Sequence, residues 1–155
     1  MTVGPWLIPL VVLVNGLAAG VLAGTQLGGW PLLQSLPAKE YVHAHAFFAT
    51  RYDPFMPVCL VLTVLGDLAL GVVTATGAVR ALFLGAGALA VATVVISLVK
   101  NVPVNKWVRA LDPAHLPGDF AARDPRRNWG GWNRARTVLC TLALAANCVA
   151  LGLLL

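Results

Sequence analysis

Two histidines separated by one residue, His43 and His45, are the only imidazoles beside an apolar span in this chain, and they pose the first chemical question. Imidazole titrates near neutrality, so either ring could serve as a general base. An extended His-x-His pair can also chelate a metal, whereas on a helix residues two apart diverge by about 200°. No HExxH or paired ExxH motif accompanies them; His115 is the one further imidazole that could join His43 and His45 around copper or iron;. The remaining polar candidates fall into three sets. Lys100, Asn101 and Asn105 follow one apolar run, and Trp129, Trp132, Asn133 and Arg136 precede the next. Where such helix ends meet at one membrane face they enclose a pocket with an apolar floor and a polar rim, the usual form of a small-molecule site. Asn15, Asp67 and Asn147 lie deeper, each inside an apolar run and at a similar depth. A carboxylate there is costly unless protonated or hydrogen-bonded, so these three read first as a structural clamp and second as a proton relay or inner ligand site.

The elements that must position these groups are four apolar stretches, at residues 6–27, 54–76, 79–99 and 137–155. Each is close to the ~20 residues that a helix needs to cross a bilayer. Of the 155 residues 59% are hydrophobic and 11% charged, against roughly 25% charged in a soluble domain. The expected fold is all-α: a four-transmembrane-helix bundle forming a single membrane domain over residues 1–155, with an interfacial helix in loop 1 and a long structured loop 3. The first stretch lacks the positive n-region of a signal peptide and is longer than an h-region, so it reads as a span.

Charge placement sets the topology. Ten of the eleven basic residues lie in or beside the first and third loops; Arg80 marks the turn between the second and third spans. Basic residues collect on the cytoplasmic side, which puts loops 1 and 3 in the cytoplasm and both termini outside, in the plasma or inner membrane. The net charge of +5 is therefore membrane-flanking, and no repeated basic-aromatic array points to nucleic acid. Cys59, Cys140 and Cys148 all lie in apolar runs without a CxxC pair, and read as small hydrophobes;.

Local patterns add detail. Gly16, Gly20 and Gly24 form a stripe of small residues, read as a packing face inside the bundle or, failing that, between protomers of a homo-oligomer. In loop 1, Tyr41, His45, Phe48 and Tyr52 share one face of an amphipathic helix over residues 38–52, and His43 points the other way;. The short connector near Gly77 makes the second and third spans antiparallel neighbours;. Pro103 blocks continuation of the third span. The tryptophans suit the membrane interface. Asn133 is a plausible N-cap for the fourth helix, which would set Arg134 and Arg136 in its first turn against the helix dipole.

The string Asn101-Val102-Pro103-Val104-Asn105, followed by Trp129-x-x-Trp132-Asn133-x-x-Arg136, resembles the anthrone oxygenase-like family of small four-helix membrane proteins. The resemblance covers essentially the whole chain, and the paired motif is fairly specific for the family. It implies oxidation of a lipophilic, anthrone-like aromatic by O₂ without flavin or haem, in secondary metabolism. His45 would then be the base, with His43 second. Asn101, Asn105 and Asn133 would donate to an enolate oxygen. Arg136 or Lys100 would stabilise its charge. Trp129 and Trp132, with Tyr41 and Phe48, would line the substrate slot. The partners so implied are the lipophilic substrate, O₂ and membrane lipids. Two other readings stay open: a copper- or iron-dependent oxygenase using His43 and His45, and a non-enzymatic membrane subunit or small-molecule carrier.

Overall fold

The computed structural model describes residues 6–75 and 77–155. Four helices are long and apolar enough to span a membrane: α1 (Leu7–Ser35), α3 (Phe55–Val73), α4 (Gly77–Arg109) and the last, running on from the short α5 (Phe120–Arg123) as α6 (Arg126–Gly152). Between α1 and α3 lies α2 (Ala38–Arg51), the amphipathic helix that the loop 1 pattern predicts. The spans form a ring in which α1 and α4 each pack against both α3 and α6. Among the described residues there is no strand. The second span ends at Val73; its expected end at Thr76 lies outside the described residues, as do residues 1–5.

Three of the spans are longer than the sequence pattern suggests, and proline accounts for two of them. Pro103 does not stop α4. A π turn at Ser97–Asn101 widens the helix, the Val102 N–H bonds back to the Ser97 carbonyl, and the helix resumes through Arg109. Proline has no N–H and its ring crowds the carbonyl four residues back; the wider turn moves that carbonyl aside. The same device recurs in α1, where a π turn at Thr25–Gly29 precedes Pro31 and the Trp30 N–H bonds to the Thr25 carbonyl.

At the other end of the sequence, α6 begins at Arg126, so Asn133 is an interior helical residue, not an N-cap. Arg134 and Arg136 are therefore clear of the first turn and of its dipole. The helix start is held by Asp124, whose Oδ1 accepts from the Arg126 backbone N–H at 3.0 Å. The Arg126 guanidinium pairs with the same carboxylate and donates from Nη1 to the Leu36 and Leu33 carbonyls at 2.6 and 3.3 Å. A cation thus satisfies the orphan carbonyls at the end of α1 and ties that end to α6.

The small-residue stripe is not a close-packed face: a Cβ at Gly16 would meet only Leu144, at 3.9 Å, and Gly24 lines an open chamber. Nothing lies within 4 Å of a Cβ built at Gly20 or Gly24. The inward face of α1 is instead Val11, Asn15, Ala18, Ala19 and Leu22, on the far side of the helix from Gly20 and Gly24. Close backbone approach occurs elsewhere: a Cβ at Gly66 would collide with Val11, and one at Gly130 with the Trp30 indole. Asn15, Asp67 and Asn147 are all fully buried, as their depth predicts. The expected clamp is partly assembled, with the Asn147 amide beside the Asp67 carboxyl but outside strict hydrogen-bond geometry. Asn15 Oδ1 accepts from Cys140 Sγ at 3.4 Å, and both Asp67 oxygens are without a partner of that geometry.

Candidate functional site

The unequal lengths of the spans create the site. At its loop end α3 starts at Phe55, while α1, α4 and α6 run further, and α2 lies across the notch that remains. Beneath α2 is a chamber of about 410 Å³, walled by Val21, Leu32 and Leu33 of α1, Met56 and Leu60 of α3, and Val94 and Leu98 of α4. That size is in the range of small-molecule pockets, roughly 300–1,000 Å³. Its polar lining comes from Thr25, His45, Tyr52, Asp53, Ser97, Asn105 and Arg136. Thr25 and Ser97 are the first residues of the two π turns, so both distorted turns face the chamber.

His45 is buried on the face of α2 that meets α4 and α6. Its ring stands edge-on to Tyr41 and to Trp129, at centroid distances of 5.3 and 4.9 Å. Asn105 Oδ1 lies 3.0 Å from His45 Nε2 and accepts from the Trp129 indole N–H at 2.8 Å. Indole only donates, so the Trp129 bond fixes which end of the Asn105 amide faces the histidine. It presents an oxygen; the neutral imidazole therefore carries its proton on Nε2 and its lone pair on Nδ1. Nδ1 is enclosed and has no hydrogen-bond partner. Burial holds the His45 pKa below its usual value, against a smaller upward pull from the Asn105 hydrogen bond. Burial thus favours the neutral form of the ring.

Arg136 is the one arginine or lysine among the residues lining the chamber. It is 7% exposed, and its side chain runs back along α6. Nε and Nη2 donate to Asn133 Oδ1 at 3.1 and 2.9 Å, and Nη1 donates to Ser97 Oγ at 3.2 Å. Asn133 is itself oriented by Gln26 of the first π turn, whose Oε1 accepts from Asn133 Nδ2 at 2.8 Å. A polar chain, Gln26–Asn133–Arg136–Ser97, thus links the two π turns through α6.

The sequence-derived candidates separate in space. His45, Asn105, Trp129, Arg136 and Phe48 line one chamber. Asn133 stands behind Arg136 and positions it, and its amide donors are directed at Gln26 rather than at a ligand. Asn105 turns its oxygen to His45 and Trp129 and so orients the histidine, while its Nδ2 donors are not engaged by these contacts and the residue lines the chamber. Asn101 is buried outside the chamber lining, with Nδ2 donating to the Trp129 carbonyl at 3.3 Å. Tyr41 packs behind His45, and its ring also faces the Arg126 guanidinium at 4.7 Å. Burial raises the Tyr41 pKa, removing its phenol from chemistry near neutrality.

Three candidates are not part of the site. His43 is exposed on the opposite face of α2, because residues two apart on a helix diverge. Lys100 is exposed, its ammonium over the Trp132 ring at 5.1 Å, and neither lines the chamber. With His45 buried and His43 exposed, the two imidazoles do not converge on one ion. Among the described residues no three His, Cys, Asp or Glu side chains cluster as metal ligands. Gln26 and Ser97 are functional neighbours that the sequence reading passes over. The available signal was a polar residue in the turn before each helix proline.

These features define a class: an all-α membrane bundle with a lipophilic chamber at one end, bearing a buried histidine and a buried arginine. The sequence profile of the anthrone oxygenase family matches residues 44–146, which includes the second half of α2 with His45, both halves of the paired motif and every polar group of the chamber but Thr25. The chain belongs to that family. Comparison with curated proteins and with solved structures gave no match.

Proposed function

We propose that the protein oxidises an anthrone-like lipophilic aromatic with O₂ in this chamber, in secondary metabolism and without a flavin or haem. The observation that carries the reading is the placement of an imidazole and a guanidinium on one largely apolar cavity. Trp129 and Arg136 are two helical turns apart on α6, and the arginine side chain folds back to the level of Asn133. The guanidinium is therefore displaced along α6 toward the level of Trp129, and it and the His45 imidazole line the same chamber. A planar ring system between them would offer a benzylic C–H to His45 and a carbonyl oxygen to Arg136.

The chemistry balances. Imidazole removes a benzylic proton, and the carbanion is stabilised as an enolate on Arg136. One electron passes to O₂, the radical pair recombines to a peroxide at carbon, and loss of water leaves the quinone carbonyl. His45 Nδ1 is covered in the structure, so a turn of the ring toward the substrate is part of the mechanism. Trp129 and Phe48 supply aromatic wall. Substrate and O₂ both partition into lipid, which accounts for an oxygenase built in a membrane.

The test is O₂ uptake and quinone formation from anthrone by the protein in nanodiscs, with elemental analysis for copper and iron on the same sample. One O₂ per quinone is expected, with activity lost in His45→Ala. A rate no faster than protein-free nanodiscs, or full activity in His45→Ala, would overturn the proposal.

A further inference from the structure

We propose that the chamber binds its aromatic ligand as an oxygen anion, a phenolate or enolate, held on the Arg136 guanidinium. This rests on the chamber being the binding site, but not on the oxidation itself. It deepens the functional reading by specifying the ionisation state in which the ligand is selected.

The argument begins with a charge that has no counterpart. A buried cation is normally paired, because removing it from water costs several kcal/mol. Arg136 is paired only with neutral oxygens, those of Asn133 and Ser97. Among the described residues the ion pairs all lie in the segment from Asp112 to Arg126, outside the chamber. The other titratable groups facing the chamber do not neutralise it. Burial favours the neutral form of His45. Asp53 is exposed at the rim without an ion pair among the described residues. Cys140, one turn further along α6, directs its thiol to Asn15.

A guanidinium has five N–H donors. The bonds to Asn133 and Ser97 use one each on Nε, Nη1 and Nη2, leaving one free donor on each Nη. Those two can grip one oxyanion, the geometry in which arginine outperforms lysine. Gln26 adds direction. By taking the Asn133 amide hydrogen it turns Asn133 Oδ1 toward Arg136, so the guanidinium plane is set from the first π turn and from Ser97 in the second. The favoured ligands are flat, conjugated oxygen acids. Amines and other cations are disfavoured. When a phenol binds, its O–H breaks and the proton leaves to water; with anthrone the oxygen anion forms in the site as the benzylic C–H proton passes to His45, and in neither step is anything oxidised.

The probe is 2-hydroxyanthraquinone, which has no benzylic hydrogen to lose and whose phenolate absorbs at longer wavelength than the phenol. Its ionisation is titrated spectrophotometrically, bound to the protein in nanodiscs and in protein-free nanodiscs. An opposite charge within ~4–6 Å lowers a pKa by about 1–3 units, and a fall of that size is expected for the bound dye. Arg136→Lys should keep part of the shift and Arg136→Met should abolish it. Gln26→Leu, which removes only the orienting contact, should reduce it. A bound dye that ionises no lower than the free dye overturns the proposal, and that measurement needs only the wild-type protein. Anthrone turnover is measured in parallel. A lowered dye pKa without turnover would sink the oxidation reading and keep the anion site; turnover with an unshifted dye would do the reverse.

Discussion

At the scale of single residues the chamber depends on one amide. Asn105 Oδ1 is shared between an indole that can only donate and an imidazole that then has no choice of tautomer;. Trp129→Phe removes the constraint while keeping the aromatic wall. Asn105 can then present either end, and the histidine loses its assigned lone pair. Anthrone oxidation should fall by about tenfold or more, in line with the ~1–3 kcal/mol cost of an unsatisfied buried polar group. The measurement is kcat in nanodiscs with binding of the inert dye as a control. His43→Ala, on the solvent face, should leave kcat unchanged. Burial of His45 also fixes a pH dependence. Its folded pKa lies below 6.5, so as pH falls through 6.5 the unfolded chain takes up a proton that the folded chain resists. Stability is therefore full above that pH and declines below it until the folded pKa is reached. Thermal unfolding in detergent from about pH 7.5 to pH 5 should show a steeper acid-side decline for the wild type than for His45→Gln.

At the scale of elements, the four spans, the ring-forming hairpin and the amphipathic α2 were all legible, because apolar run length and periodicity are local properties of sequence. The ends of the long helices were not. A proline in sequence reads as a stop, and only the widened turns before Pro31 and Pro103 show that both helices continue. The depth of Arg136 was hidden for the same reason: an Asn before two arginines looks like a cap until helix α6 is seen to begin at Arg126. The glycine stripe shows the limit of spacing alone: Gly16, Gly20 and Gly24 share a face, yet of the three only Gly16 approaches another helix, and Asn15 with the alanines beside it takes the inward side. Gly130 is where a small residue is needed, since a Cβ there would strike the Trp30 ring. A rigid indole between helices cannot step aside cheaply. Gly130→Ala should destabilise by about 1–3 kcal/mol, as overpacked sites do. Its neighbour Gly131, where a Cβ meets nothing within 4 Å, should tolerate alanine, giving an internal control in the same thermal assay.

For the whole molecule, the end that carries the chamber is also the end that carries the charge. Lys39, Arg51, Lys100, Lys106, Arg109, Arg123, Arg127 and Arg134 are all exposed there, and Arg80 alone is exposed at the hairpin end. That asymmetry favours a cytoplasmic chamber, which would take substrate from the inner leaflet and from cytosolic biosynthesis. Cysteine labelling tests it directly. Cys59 and Cys140 are buried and Cys148 is exposed, so Cys148→Ser gives a quiet background. In intact cells a membrane-impermeant maleimide should label Leu155→Cys, at the terminus-bearing end, and Ala78→Cys, at the hairpin. His115→Cys, in the exposed segment between α4 and α5, should react only after permeabilisation. Labelling of His115→Cys in intact cells would invert the bundle. The chamber would then open to the outer face, and its substrate would have to come from outside the cytoplasm, while the geometry of His45 and Arg136 would stand unchanged.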